Sequence, residues 1–473
     1  MSYSAKNIKE FAKGSSILVA SNIVLKGIQF LLLPMYTRYL SPKELGISDS
    51  ITSFTTFLFP LLVMAFDSAF SAFYYEKEEK NHSVKVFNTV FFFLAMQSFI
   101  PILLTFASSN ISQFLFESVR YSMGVKLALF SIAVNLWYLP FALLTRMQNR
   151  MRTFAIINVT CSTTMILLNI LFVSVFKWGY MSMLASTFLV NILQIVLYIL
   201  TCRVSIKRKW TDRQLFKSML VYALPFIPTT ISTWVLNMSD RYMLLFISGE
   251  AEVGIYGIGA RFVTILSVVI SGVATAYTSF AFQNVKDEKA KEMFSDIVNV
   301  IFIFLAGVCT TVALFGKEVI SLMTSSDYQE AYLLLAGLMF SQLAYALYTF
   351  TGYGIAFKKK SKYYFYSVSA GAVVNVLLNI ILLPEMGARG AALTTLIGTA
   401  VMFAMTYYYS NKLYPCDYGI LKISIVFVLL YFTSFMFREL HFGVKALIWI
   451  IDASITLAVY HKRIIKVFKI FKK

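Results

Sequence analysis

Histidine, cysteine and acidic residues are all scarce in this chain, and each scarcity removes a class of function. The 473 residues include three histidines and four cysteines. His82, His441 and His461 are scattered without metal spacing, and Cys161, Cys202, Cys309 and Cys416 follow no metal, redox or disulfide pattern. Aspartate and glutamate number 23 against 42 lysines and arginines, and no carboxylate pair stands beside a nucleophile as a triad requires. A phosphate-cradling G-x-x-x-x-G-K-[ST] sequence is missing, so ATP is not hydrolysed by this chain itself. The expectation is a protein that is not an enzyme and carries no metal or cofactor.

Charge is sparse as well. Charged residues make up 14% of the chain and hydrophobic ones 58%, with mean hydropathy +0.72, where soluble domains carry about 25% charge. Such an apolar excess cannot be hidden in a water-soluble core. The net charge of +19 sits in short loops between apolar runs, so nucleic acid is not an expected partner.

What is present is a series of long apolar segments. Crossing about 30 Å of hydrocarbon takes roughly 20 apolar residues. Candidate spans are 15–35, 47–74, 86–108, 125–145, 153–176, 181–202, 219–239, 255–280, 294–315, 332–356, 363–383, 388–410, 420–437 and 443–460. Backbone polar groups in lipid need partners within a helix or a closed barrel, and segments this long are not barrel strands. The first run follows Lys6, Lys9 and Lys13 but exceeds a signal-peptide core and lacks a small-residue cleavage site, so it is read as a permanent span. The fold class expected is all-α and polytopic, with about fourteen transmembrane helices.

Loop charge sets the orientation. With the N-terminus inside, the eight cytoplasmic segments carry 30 of the 42 lysines and arginines, and the seven outer segments carry 10. Lys26 and Arg261 fall within spans. A missed helix would invert every later loop and scramble that bias. Both termini are therefore expected in the cytoplasm.

The chain also repeats itself. An offset of 208 residues carries Glu44-Leu45-Gly46-Ile47 onto Glu252-Val253-Gly254-Ile255, Gly179 onto Gly387, and Asn169 to within two positions of Asn379. Two pseudo-symmetric six-helix bundles follow, related by an axis along the membrane normal. The expected divisions are 1–202, a linker 203–218, a second bundle 219–410, and 411–473 for helices 13 and 14 with a basic tail.

Polar residues collect on single faces of several spans. In helix 1, Ser15, Asn22, Lys26 and Gln29 lie within about 60° of arc, and in helix 7, Thr229, Thr233, Asn237 and Asp240 lie within about 80°. In helix 8, Arg261, Thr264, Ser271, Thr275 and Thr278 share about 100°. Hydroxyl stripes also arise from helix packing alone. Lys26 and Arg261 are different, because a charge at the bilayer centre must be hydrated or paired. Asp67 in helix 2 is a candidate partner of Lys26 or a proton or sodium site. Asp240 and Arg241 are read as adjoining an interface, where a local ion pair is the plain alternative. Asp452 stands alone in helix 14. Pro225 and Pro228, in the first turns of helix 7, are hinge candidates.

Several stretches carry a family likeness. They are Pro34-Met35-Tyr36-Thr37-Arg38-Tyr39-Leu40-Ser41-Pro42, Asp67 with Phe73-Tyr74-Tyr75-Glu76, Tyr222 through Pro228, Ser239-Asp240-Arg241-Tyr242, Gly254-Ile255-Tyr256, and Asn375 through Asn379 with Pro384, Gly387 and Gly390-Ala391-Ala392. In their order and spacing they resemble bacterial polysaccharide flippases of the O-antigen and capsule type, in the multidrug/oligosaccharidyl-lipid/polysaccharide exporter superfamily. The likeness runs across helices 1 to 12.

That resemblance implies an inner-membrane translocase for undecaprenyl-diphosphate-linked sugar repeat units, working by alternating access through a cationic cavity. A polysaccharide polymerase and a chain-length regulator are the implied protein partners, and the bilayer is the implied surroundings. Arg38, Arg241 and Arg261 are carried over as substrate contacts, with Asp67 and Asp240 as cation-coupling candidates for H+ or Na+. The helical-face reading adds Lys26, Gln29 and Asn237 to the substrate set, and Tyr345 as an aromatic surface for sugar. Two alternatives stay open, namely a cation-coupled multidrug exporter of the same superfamily and a flippase for peptidoglycan or teichoic-type precursors. A membrane glycosyltransferase would want a large outer loop, and every outer loop here is short.

Overall fold

The computed structural model describes residues 30, 32–76, 81–148, 150–202, 206–207, 211–285, 287, 289–358 and 360–471. The first span, with Lys26 and Gln29, lies outside the described residues apart from its last few positions. Among the described residues, eleven helices are long and apolar enough to cross a membrane. One of them, Lys362–Leu413, is the eleventh and twelfth expected spans joined. The seventh, Ile227–Ser248, is long enough but too polar to be counted with those eleven. Among the described residues these helices make up a polytopic all-α fold, as the sequence predicts.

Contacts divide the chain into two units, one ending at Trp234 and the other beginning at Val235. The boundary thus falls inside the seventh span and not in the linker 203–218. In the first unit, α1 (Leu33–Tyr39) leads to α2 (Pro42–Val63) through a capping box. Ser41 Oγ accepts the Glu44 N–H, and Glu44 Oε2 accepts the Ser41 N–H at 3.0 Å, so two orphan donors are satisfied at once. The second span is not continuous. Met64 and Ala65 hold φ +49° and +57°, which ends α2 and starts α3 (Phe66–Phe73) with Asp67 in its first turn.

The unit continues through α4 (His82–Gln97), α5 (Phe99–Leu104), α6 (Ser108–Phe116), α7 (Ser122–Met147), α8 (Met151–Ile170) and α9 (Met181–Thr201). The end of the expected linker and the first residues of the expected seventh span then form a separate amphipathic helix, α10 (Arg213–Ala223), capped by Asp212. Phe216 stacks on Phe66 and lies 5.4 Å from Phe93 between ring centres, with Met219 and Ala223 buried. The turns before it are held too: the Lys207 N–H donates to Asn88 Oδ1 at 2.9 Å. Trp234, on the first half of α11 (Ile227–Ser248), packs on Phe57 at 4.5 Å. These apolar contacts draw the segment after the linker into the first unit.

The second unit contains the rest of α11, then α12 (Glu250–Asn284), α13 (Ala290–Leu314), α14 (Gly316–Met323), α15 (Tyr332–Thr351), α16 (Tyr353–Phe357), α17 (Lys362–Leu413), α18 (Ile420–Phe437) and α19 (Phe442–Phe471). Helix α17 breaks at Gly387, whose φ of 52° and ψ of −134° are open to glycine. Small residues let backbones approach, as membrane helix packing favours: a Cβ at Gly337 of α15 would lie 2.8 Å from the Ala392 carbonyl oxygen of α17.

Helices α18 and α19 belong to this second unit. Lys445 is fully buried, its ammonium 2.8 and 2.9 Å from the two Glu318 carboxylate oxygens. Trp449 Nε1 donates to Thr311 at 2.8 Å. Asp452, which the sequence leaves alone, accepts a hydrogen bond from Thr433 of α18 at 2.7 Å.

Candidate functional site

The site grows from the buried face of α11. Leu236, Asp240 and Leu244 lie at i, i+4 and i+8, and all three are buried. Asp240 is 1% exposed. This corrects the expectation that it adjoins an interface: the seventh helix runs to Ser248, so Asp240 and Arg241 sit inside it. It also separates Asp240 from Thr233, its companion on the expected polar stripe, which is exposed.

Two other helices meet this carboxylate. Tyr256 of α12 donates its hydroxyl to Asp240 Oδ2 at 2.9 Å. From α17, Asn379 Nδ2 donates to Oδ1 at 2.7 Å, and Thr395 Oγ1 donates to Oδ2. A second ring of contacts holds these donors. Asn379 Oδ1 accepts from Thr394, and Asn375 Oδ1 accepts from both Ser239 and Asn379 at 3.3 Å. Asn375 and Asn379 are one turn apart on the first half of α17, while Thr394 and Thr395 lie on its second half. The break at Gly387 is what brings both halves to one carboxylate.

A buried carboxylate within a membrane helix is expensive as a bare anion. Hydrogen bonds offset part of that cost, and a proton or a monovalent cation would offset the rest. The surrounding side chains offer carboxylate, phenol, hydroxyl and amide oxygens, the donor set of a hard cation. One carboxylate matches a single positive charge.

Arg241 lies beside this network. Its guanidinium carbon is 5.8 Å from the Tyr256 ring centre, and Nη1 points to Met238 Sδ at 3.1 Å. Thus Tyr256 touches Asp240 with its hydroxyl and Arg241 with its ring. Arg261, further along α12, is partly buried. In the first unit Arg38 is exposed in the last turn of α1, and Asp67 is exposed on α3. The structure therefore brings together Asp240 and Arg241, through Tyr256. Lys26 and Gln29 lie outside the described residues, as does the side chain of Asn237. The backbone of Pro225 belongs to a short 3-10 turn, Leu224–Phe226, that joins α10 to α11; Pro228 follows in the first turn of α11.

Sequence reasoning missed the partners of Asp240. Tyr256 and Asn379 stand in the stretches that carry the family likeness, but only contact assigns them to one carboxylate. A pocket of about 380 Å³ was also unforeseen, lined by Glu252, Glu330, Glu385 and Arg389 around the break in α17. Arg389 pairs there with Glu330 at 3.2 Å.

Tyr345 is the exposed residue of an otherwise buried stretch of α15, with its ring 5.6 Å from that of Tyr348. Gln342 and Thr349 lie on the same side within about 60° of arc.

Comparison with solved structures gives the class. A lipid II flippase, MurJ, in an inward closed conformation matches with a TM-score of 0.74 at 17% identity, over 95% of this chain and 100% of that one. An inward-facing multidrug resistance transporter of the MATE family and MOP superfamily matches with a TM-score of 0.70 at 16% identity, over 85% and 95%. A MOP superfamily transporter from Pyrococcus furiosus, whose binding pocket is described as reversed in polarity, matches at 0.56 and 16% identity, over 87% and 96%. At such identities the likeness is one of fold, and that fold is polytopic and helical. No curated protein matches the chain.

The particular family follows from sequence. The family model described as "Polysaccharide biosynthesis protein" matches residues 11–278, and the MatE model matches 225–381. The chain belongs to the polysaccharide biosynthesis protein family.

Proposed function

We propose that this protein flips undecaprenyl-diphosphate-linked oligosaccharide repeat units across the bacterial cytoplasmic membrane for surface polysaccharide synthesis. The observation that carries this reading is the match to the polysaccharide biosynthesis family over 11–278. Arginines held within membrane helices, Arg241 and Arg261, support it. A diphosphate and a hydrated glycan cannot enter hydrocarbon without compensation, and guanidinium and ammonium groups supply it. In this reading Lys26, Arg241, Arg261 and Arg38 meet the diphosphate. Gln29, Asn237 and Tyr345 meet sugar, since a tyrosine ring offers a stacking face and a hydroxyl.

The polyprenyl tail stays in lipid while the bundles alternate between inward and outward access. Both termini lie in the cytoplasm, and a polymerase and a chain-length regulator take up the product outside. The turn at Leu224–Phe226, with Pro225 and Pro228, serves as a hinge. Energy enters through H+ or Na+ at Asp240, with Asp67 as the alternative.

The test is surface glycan display at normal protein level in Lys26→Ala and Arg241→Ala variants. Loss of a hydrogen bond to a charged group is worth about 1.5–3 kcal/mol, or roughly tenfold or more. Undiminished display by both variants would overturn the reading.

A second reading, a flippase for peptidoglycan precursor, is favoured by the full-length fold likeness to the lipid II flippase. Depletion separates the two: arrested growth with lysis supports it, and growth without surface glycan supports the first. A multidrug exporter would instead change drug susceptibility on deletion.

A further inference from the structure

Tyr256 touches both a candidate cation site and a candidate anion site. Its hydroxyl donates to Asp240 Oδ2 at 2.9 Å and lies 3.4 Å from Thr395 Oγ1. Its ring lies under Arg241 at 5.8 Å. The side chain is 4% exposed, so it cannot swing away without moving α12 or its neighbours. Asp240 and Arg241, adjacent in sequence, thus meet different parts of this side chain, the hydroxyl and the ring.

We propose that Tyr256 is a positioning residue that couples cation occupancy at Asp240 to diphosphate binding at Arg241. This rests on the reading of those two residues given above. With Asp240 free of a cation, the phenol donates to Oδ2 alongside Thr395, while Asn379 donates to Oδ1. A proton or Na+ on the carboxylate occupies the lone pair that the phenol uses. The phenol then turns its own lone pair to the cation, or shifts its ring. Arg241 rests on that ring, so its guanidinium moves with it. By linkage the effect is reciprocal: whatever factor the cation changes diphosphate affinity by, diphosphate changes cation affinity by the same factor.

The first unit holds no copy of this device at the repeat positions. The 208-residue offset carries Asp240 to Leu32, Tyr256 to Ser48, and Asn375 and Asn379 to Leu167 and Leu171. Hydroxyls remain at Ser48, Ser186 and Thr187, opposite Tyr256, Thr394 and Thr395, but without the carboxylate, the aromatic ring or the amides. Coupling is thus built into one half of the repeat.

The experiment uses the full chain in detergent with two probes, NaCl and inorganic pyrophosphate, each titrated with the other absent or saturating. The same titrations in acidic and neutral buffer replace Na+ by H+. In the unaltered protein the cation is expected to change the pyrophosphate Kd by about tenfold, within the usual span of coupling between sites. Tyr256→Phe keeps the ring beneath Arg241 and removes the hydroxyl. It is expected to bind both probes but to shift by less than about twofold. Tyr256→Leu, lacking the ring as well, is expected to weaken pyrophosphate binding itself.

Unaltered coupling in Tyr256→Phe would overturn the proposal, as would cation and pyrophosphate binding that are independent in the unaltered protein. Cation binding that survives Asp240→Asn would instead overturn the reading of Asp240 beneath it, and the proposal with it. A purely structural tyrosine would lower melting temperature in both variants and leave the affinity ratio unmoved.

Discussion

Glu252 occupies the space that a side chain at Gly387 would need. Its Oε2 accepts the Ala388 N–H at 2.8 Å, and a Cβ at Gly387 would come within 2.8 Å of the same oxygen. In the first unit Glu44 stands the same way against Gly179, which also has positive φ. One offset carries Glu44 onto Glu252 and Gly179 onto Gly387. The repeat is therefore preserved as a contact: in each unit, a carboxylate from near the start of one helix fills a corner left open by glycine.

Alanine at Gly387 meets two penalties, a positive-φ backbone with ψ of −134° that side chains rarely adopt, about 1–3 kcal/mol, and displacement of Glu252. Thermal unfolding of the purified protein is expected to fall by several degrees, and Gly179→Ala should behave likewise. Adding Glu252→Ala to Gly387→Ala should then destabilise less than Glu252→Ala does alone, because contacting residues are not additive. Strict additivity would show that the carboxylate does not impose the glycine.

Substitution at Asp240 separates charge from shape. Asn keeps an acceptor for part of the network, so Asp240→Asn should reach the membrane at normal level. Leucine takes away the acceptor that Tyr256, Asn379 and Thr395 share, at a cost of up to about 1–3 kcal/mol for each donor left short of a partner, and Asp240→Leu should accumulate poorly. Immunoblots of membrane fractions measure both. Transport by Asp240→Asn, assayed under imposed proton or sodium gradients, should lose its response to the gradient.

The Lys445–Glu318 pair tests whether the last helices are integral. Removing one partner of a buried pair costs about 3–5 kcal/mol. Glu318 is 37% exposed on its side chain, so water screens part of that loss, and about 2–3 kcal/mol is expected for Glu318→Gln. Lys445→Met combined with Glu318→Gln should recover much of it. Melting curves of the three variants decide; equal losses in the single and double variants would remove the pair from the account.

Cys416 lies in the loop between α17 and α18, buried, with its Sγ donating to the Lys291 carbonyl at 3.1 Å. Burial pushes this thiol up to about 11 from an ordinary 9.0. The folded chain thus keeps the thiol protonated where the unfolded chain would ionise. Its contribution to stability is complete below pH 9.0 and is lost as pH rises toward about 11. Maleimide should label Cys416 slowly in native protein at neutral pH and quickly after denaturation. Peptide mass spectrometry reads the site, and rapid native labelling would contradict the burial.

Much of the fold was legible because lipid leaves so few choices. Run length gave the spans, loop charge gave a consistent count, and the offset joining Glu44 to Glu252 and Gly179 to Gly387 reappears as matched corners. Boundaries were harder where polarity varies within a helix. The seventh span looked short because Asn237, Asp240 and Arg241 dilute it, so Asp240 was placed near an interface and its burial went unseen. The end of the expected linker and the start of the expected seventh span hid one separate helix, Arg213–Ala223, because Phe216, Met219 and Ala223 find their partners only in the folded first unit. Tyr256 showed as a family-like residue without a role, since its partners come from two other helices: Asp240 and Arg241 on α11 before it, and Thr395 on α17, 139 positions later.

The two left-handed residues between α2 and α3 have an outcome for anyone preparing this protein. Met64 and Ala65 adopt, with side chains, a conformation in which glycine sits at ease. Glycine at Ala65 would relieve steric crowding in the native state while loosening the denatured chain, two effects of opposite sign and similar size. An asparagine there, which tolerates the same dihedrals without glycine's disorder, is the more promising route to a sturdier sample for crystallisation.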